Sequence, residues 1–94
     1  MTYQVKLSRS ALKALKKLER SGSFNPYSLN TVLHCFEYGE TIPEKYKDHQ
    51  LRGEFAHLRE CHLEFNLLLV YKRNDDARII TVSDIGTHSE LFGE

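Results

Sequence analysis

The sequence predicts an α+β domain in the order β-α-α-β-β-β, a helical hairpin packed against a small antiparallel sheet. Three observations predict it. Apolar and polar residues alternate at the start of the chain, apolar residues then recur at spacings of three and four, and after Gly53 the pattern returns to strand-like runs. A chain of 94 residues has room for one core, and no repeat, low-complexity tract or linker divides it, so residues 1–94 read as a single domain.

Tyr3, Val5 and Leu7 alternate with Thr2, Gln4 and Lys6, as on a half-buried first strand. Ser8 or Ser10 can cap the helix that follows, whose apolar stripe is Ala11, Leu12, Leu15 and Leu18 and which ends near Gly22. Asn25-Pro26 begins a second helix, with Pro at the first helical position, where its missing N–H costs nothing. Leu29, Val32, Leu33 and Phe36 form its buried face, and Gly39 stands where a C-terminal glycine belongs. Residues 39–53 read as a long irregular segment, of the kind that carries function in small domains. Strands are predicted over Glu54 to His62, Leu63 to Arg73 and, after an Asn74-Asp75-Asp76 turn, Ala77 to Val82. Gly86 to Phe92 is too short to assign.

Thirteen Lys and Arg balance thirteen Asp and Glu, which argues against a protein that coats nucleic acid indiscriminately. The balance conceals an asymmetry. Residues 1–31 carry a net charge of plus five, residues 32–62 minus two and residues 63–94 minus three. Lys13, Lys16, Lys17 and Arg20 fall opposite the apolar stripe, on a face suited to RNA or to an acidic protein segment. Cys35 and Cys61 are too few for a disulfide framework and lack C-x-x-C spacing, so both are expected as small buried hydrophobes of a reduced, cytoplasmic protein. The first residues lack the pattern of a signal peptide, and the longest apolar run, Leu67 to Tyr71, is too short to cross a bilayer. No membrane partner is expected.

Five histidines in so short a chain are where chemistry is to be sought. No quartet or tight triad of metal-ligand spacing is present, so neither a metal site nor a cofactor is expected; on a strand, Glu60 and His62 would share one face and Cys61 the other. His34 reads as a helical residue beside the core, and His57 as a solvent-side strand residue. His49, His62 and His88 each lie in a loop or at a strand end, beside ionisable neighbours. Three imidazoles with an arginine and no metal suit cleavage of an RNA phosphodiester by its own 2′-hydroxyl. One group takes the 2′ proton, another protonates the 5′ leaving oxygen, and a cation stabilises the crowded phosphorane.

Four blocks carry a family resemblance: Tyr46-Lys47-Asp48-His49-Gln50-Leu51-Arg52-Gly53, Leu58-Arg59-Glu60-Cys61-His62-Leu63, Leu68-Leu69-Val70-Tyr71 and Gly86-Thr87-His88-Ser89-Glu90-Leu91-Phe92. In this order and spacing they resemble the YafQ branch of the RelE/ParE superfamily, the toxin halves of bacterial type II toxin–antitoxin modules. The resemblance implies a RelE-like fold and an endoribonuclease, an mRNA interferase, that cuts messenger RNA in the ribosomal A site without metal. It implies as partners a small antitoxin, the 70S ribosome and mRNA, with operator DNA reached only through the antitoxin. Carried over by position, His49, His62 and His88 match the family's active-site histidines, Phe92 an aromatic residue near them, and Glu60 a position where the family commonly has an acid. His49 or His62 is then the base, His88 the acid, and Arg59 or Lys47 the phosphate ligand. The family usually reads Pro-Asp where this chain reads Phe65-Asn66. Asn66 keeps the shape of that active-site Asp but not its charge, so an attenuated toxin, or one relying on Glu60 or Glu64, is an alternative. A non-catalytic or ParE-like toxin that acts by binding, through gyrase inhibition or through antitoxin and operator binding, is another, although ParE-like relatives generally lack this histidine set.

Overall fold

The computed structural model describes residues 2–22 and 24–93; Met1, Ser23 and Glu94, which the single-domain expectation included, lie outside the described residues. Strand β1 (Gln4–Leu7) leads through Ser8 into α1 (Arg9–Ser21). The Ser8 hydroxyl accepts a hydrogen bond from the Ala11 N–H, so Ser8 rather than Ser10 is the cap. Ala11 is fully buried, with Ala14, Leu15 and Leu18 packed beside it, whereas Leu12 turns to solvent. The buried stripe is thus 11-14-15-18, and a step of about 100° per residue carries position 12 off it. Lys13, Lys16, Lys17 and Arg20 are all exposed, as the charge pattern predicts.

Helix α2 (Tyr27–Tyr38) starts after Pro26, with the Asn25 side chain accepting from the Tyr27 N–H. It ends at Gly39, whose φ of 65° is a left-handed conformation that glycine adopts without steric cost. His34 on this helix is exposed and pairs with Glu40 at 3.5 Å, outside the core it was expected to adjoin.

The segment expected to be irregular contains a two-residue strand, β2 (His49–Gln50), between 3₁₀ turns at Glu44–Tyr46 and Gly53–Phe55. The strand expected from Glu54 begins only at Arg59, because the turn that opens at Gly53 takes up the residues before it. Strand β3 (Arg59–Glu64) and β4 (Leu67–Asn74) meet at Phe65-Asn66, later than the expected boundary at His62. From Cys61 to Leu67 apolar and polar residues alternate without a break, so the period alone does not mark the turn inside that stretch. Strand β5 (Ile79–Gly86) runs on past Val82, and the unassigned end forms a short helix, α3 (His88–Phe92).

The five strands lie in the order β1-β5-β4-β3-β2. β2 to β5 pair antiparallel, and β1 adds parallel to β5. One face carries the core: Val32 and Phe36 from α2 meet Cys61, Leu63, Leu69, Tyr71, Ile80 and Val82 from the sheet. Burial of each large apolar side chain contributes roughly 1.5–3 kcal/mol. The other face carries polar groups in register. Residues directly opposite on paired strands share a face, so His49, Glu60, Val70 and Asp84 form one cross-strand row. No helix among the described residues is long and apolar enough to cross a membrane.

Candidate active site

Strand alternation separates the residues of β3 by chemistry: Arg59, Cys61 and Leu63 go to the core face, Glu60 and His62 to the other. Glu60 is the one buried charged residue of the described chain, 5% exposed, and two imidazoles approach it. The pairing of β2 with β3 sets His49 opposite Glu60, with its Nε2 3.6 Å from Glu60 Oε1. His62 Nε2 lies 3.3 Å from the same oxygen. The two rings are 6.1 Å apart.

A backbone contact fixes the tautomer of His49. Its Nδ1 lies 2.7 Å from the Lys47 carbonyl oxygen, which can only accept, so Nδ1 carries the proton. In the neutral ring Nε2 is then the unprotonated nitrogen, on a side chain that is about half exposed.

Helix α3 completes the site. Thr87 and Glu90 form a capping box: the Thr87 hydroxyl accepts from the Glu90 N–H at 3.2 Å, and Glu90 Oε1 accepts from the Thr87 N–H at 2.8 Å. The bond from the Thr87 N–H contributes most to holding the Glu90 carboxyl below the usual range, and the Thr87 side chain and Lys17 add to it. Gly86 lets the helix fold back closely, since a Cβ there would stand 3.2 Å from Glu90 Oε1 and 3.3 Å from a Leu91 methyl. The first residue of α3 is His88 and the last is Phe92, whose rings lie 5.1 Å apart, and Phe55 meets Phe92 edge-on at 5.4 Å.

A cleft of about 440 Å³ joins these parts, lined by His49, Arg52, Phe55, Glu60, His88 and Phe92 together with Leu51 and Glu54. Of the residues singled out from sequence, it unites His49, Glu60, His88 and Phe92, and His62 adjoins through Glu60. Arg59 is not brought there. It lies on the opposite face, paired with Asp48 at 2.8 Å. Nor does Lys47 line this cleft; its carbonyl serves His49, while its side chain borders a separate hollow with Lys45, His62 and Phe65. Asn66 sits in the exposed β3–β4 turn, lining another hollow with Leu18, Phe24 and Thr87.

The cation of the cleft is Arg52, which sequence reasoning passed over although it stands in the same block as His49. Phe55 was missed as well, because it was assigned to a strand. Cys61 takes no part: its buried thiol faces the core, and burial pushes it up to about 12, so it is no nucleophile at neutral pH.

Donor atoms of His49, Glu60 and His62 all lie within 4.8 Å of one another. Two imidazoles and a carboxylate form a set that takes zinc, copper or iron. Ligand spacing along the sequence gave no sign of it, because pairing between β2 and β3 is what assembles it.

The family model for the bacterial toxin of type II toxin–antitoxin systems, YafQ, matches residues 3–93. A putative toxin YafQ of Haemophilus influenzae is 34% identical over 62 residues, 64% of this chain and 61% of the relative. The mRNA interferase toxin YafQ of Escherichia coli K12 is 38% identical over 52 residues, 55% of this chain and 54% of the relative. The alignment therefore spans under two thirds of the length of these curated relatives. Solved structures match over nearly their whole length. A metal-bound toxin from Helicobacter pylori has a TM-score of 0.86 at 35% identity, covering 98% of this chain and 100% of that one. The toxin of the E. coli DinJ–YafQ toxin–antitoxin complex has a TM-score of 0.86 at 26% identity, covering 99% and 100%.

Proposed function

The chain belongs to the family of YafQ toxins of bacterial type II toxin–antitoxin systems, and we propose that it is an mRNA interferase that cuts by attack of the RNA 2′-hydroxyl. One observation carries this reading: His49 and His88 line a single cleft with an arginine and two aromatic rings. His49 Nε2, left unprotonated by the Lys47 contact at Nδ1, takes the 2′ proton. The freed oxygen attacks phosphorus, Arg52 stabilises the charge that builds on the phosphorane, and His88 protonates the departing 5′ oxygen. The products are a 2′,3′-cyclic phosphate and a 5′-hydroxyl. Glu60 lies between the two rings, and its carboxylate faces the positive charge that His49 gains with the proton. Phe92 and Phe55 offer faces against which a base can stack.

The DinJ–YafQ complex of E. coli supports an antitoxin as partner, and the mRNA interferase name of the E. coli relative supports mRNA as substrate. The exposed face of Lys13, Lys16 and Arg20 suits ribosomal RNA or an acidic antitoxin segment. Metal plays no part in the cutting. The H. pylori relative was crystallised metal-bound, and on this chain a transition metal held by His49, Glu60 and His62 would occupy the nitrogen that must take the proton. Activity is therefore expected to survive EDTA and to fall with added Cu²⁺.

Primer extension on mRNA from cells induced without antitoxin tests the reading. New 5′ ends within coding sequence, absent with His88→Ala, are expected. Intact transcripts together with inhibited supercoiling by purified gyrase would replace it with the ParE-like alternative.

A further inference from the structure

We propose that Asp48, Arg59 and Tyr71 are positioning residues for His49: a side-chain network behind the sheet fixes the edge strand whose front carries the base. The inference rests on the reading of His49 as that base. β2 is two residues long and pairs with β3 at two positions, so backbone bonding alone holds it weakly. Alternation sends Asp48 and Gln50 to the side opposite His49, and there the strand is tied by side chains.

Arg59 makes three of the ties. Its Nη2 donates to Asp48 Oδ2 at 2.8 Å, its Nη1 to Gln50 Oε1 at 3.3 Å, and its Nε to the Tyr71 hydroxyl at 3.2 Å. The Tyr71 hydroxyl in turn donates to Asp48 Oδ1. Gln50 Nε2 donates to the carbonyls of Ala56 and Leu58, joining the strand to the turn that carries Phe55. One carboxylate thus receives donors from β3 and β4, and Tyr71 is itself buried against Phe36 at 4.4 Å. Edge strand and sheet interior become one rigid piece.

Two further facts agree with this. Lys47 has a φ of 51°, a left-handed conformation in a residue other than glycine, which persists only where its surroundings hold it. That backbone supplies the carbonyl for His49 Nδ1, and Asp48 anchors it from behind. The hydrogen bond to Asp48 raises Arg59, and burial, then Asp48, raises Tyr71, so both donors keep their protons throughout the neutral range.

Tyr71→Phe removes one hydroxyl and keeps the packed ring. Arg59→Met removes the fork, and Arg59→Lys restores the charge without it. On mRNA-programmed ribosomes, kcat is expected to fall about tenfold in Tyr71→Phe and Arg59→Met, with KM within about twofold, and to recover in part in Arg59→Lys. In ¹⁵N NMR of the folded proteins, the His49 Nδ1 resonance should leave its protonated position toward the average of two tautomers in both damaging variants. An unmoved His49 resonance overturns the proposal, whether kcat falls or not, and so does an unchanged kcat beside a moved resonance. Should the unaltered protein cut no mRNA, the reading of His49 as base fails, while the resonance still decides whether the network orients the ring. Should Arg59→Met not fold, Tyr71→Phe supplies both readouts.

Discussion

Asp, Arg and Tyr meet twice along one cleft of about 520 Å³ on the helical side of the sheet, and the two clusters differ in what they hold. In one, the Tyr3 hydroxyl donates to Asp75 at 2.7 Å, and Arg73 donates to Tyr3 at 2.9 Å and to Asp75 at 2.5 Å. In the other, Asp48 is held by Arg59 and Tyr71. The first ties β1 to the β4–β5 turn, with Asp75 exposed and its carboxyl held below the usual range chiefly by Arg73. The second ties down the strand that carries His49. The chemistry is the same and the consequence is not, because a polar cluster acts through the backbone it immobilises. Exposed pairs of this kind contribute little to stability in themselves.

The largest effects should come from the front of the sheet. His88→Ala is expected to reduce cleavage about 10²–10⁴-fold, the usual worth of a positioned general acid, measured by single-turnover cutting on ribosomes. Arg52→Ala should cost about 10²-fold with its main effect on kcat, since it faces charge that develops only in the transition state. An effect of Arg59→Ala larger than that of Arg52→Ala would break the division between the two faces. Next come the paired tyrosines. Tyr71→Phe should lower kcat about tenfold, whereas Tyr3→Phe should leave kcat unchanged and lower Tm by on the order of a few degrees; equal effects on kcat would show the clusters to be equivalent.

The smallest effect belongs to pH. The Glu90 carboxyl titrates below its ordinary range, so its contribution to the α3 cap is complete above that range and is lost as pH falls through the lowered value. The Thr87 amide resonance should therefore move in acid and stay fixed above it.

Much of this was legible in the sequence. Gly22, Gly39 and the stripe of α2 act locally and stand where the sequence puts them, and Ser8 is the cap of the two serines it offers; Leu12 is the exception, off the buried stripe of α1. Position within the site was not legible. Arg59 and Glu60 are neighbours, and both were assigned to one site, yet the pleat sends them to opposite faces. Once the strand starts at Arg59, alternation alone separates them; the sequence-based start at Glu54 concealed nothing of that period, but nothing in it said which face was covered. Arg52 and Phe55 entered the cleft through turns around Gly53, where no period exists to project a side chain. The triad of His49, Glu60 and His62 depends on the register of β2 against β3, a tertiary fact.

The central claim is that the cleft cuts RNA with the RNA's own hydroxyl and the protein's own protons. End-group analysis of the fragments, produced on ribosomes in the presence of EDTA, tests it most directly. A 5′-hydroxyl on the downstream fragment and a cyclic or 3′-phosphate on the upstream one are predicted. A 5′-phosphate and a 3′-hydroxyl would contradict it, because those ends require an external water rather than the 2′ oxygen.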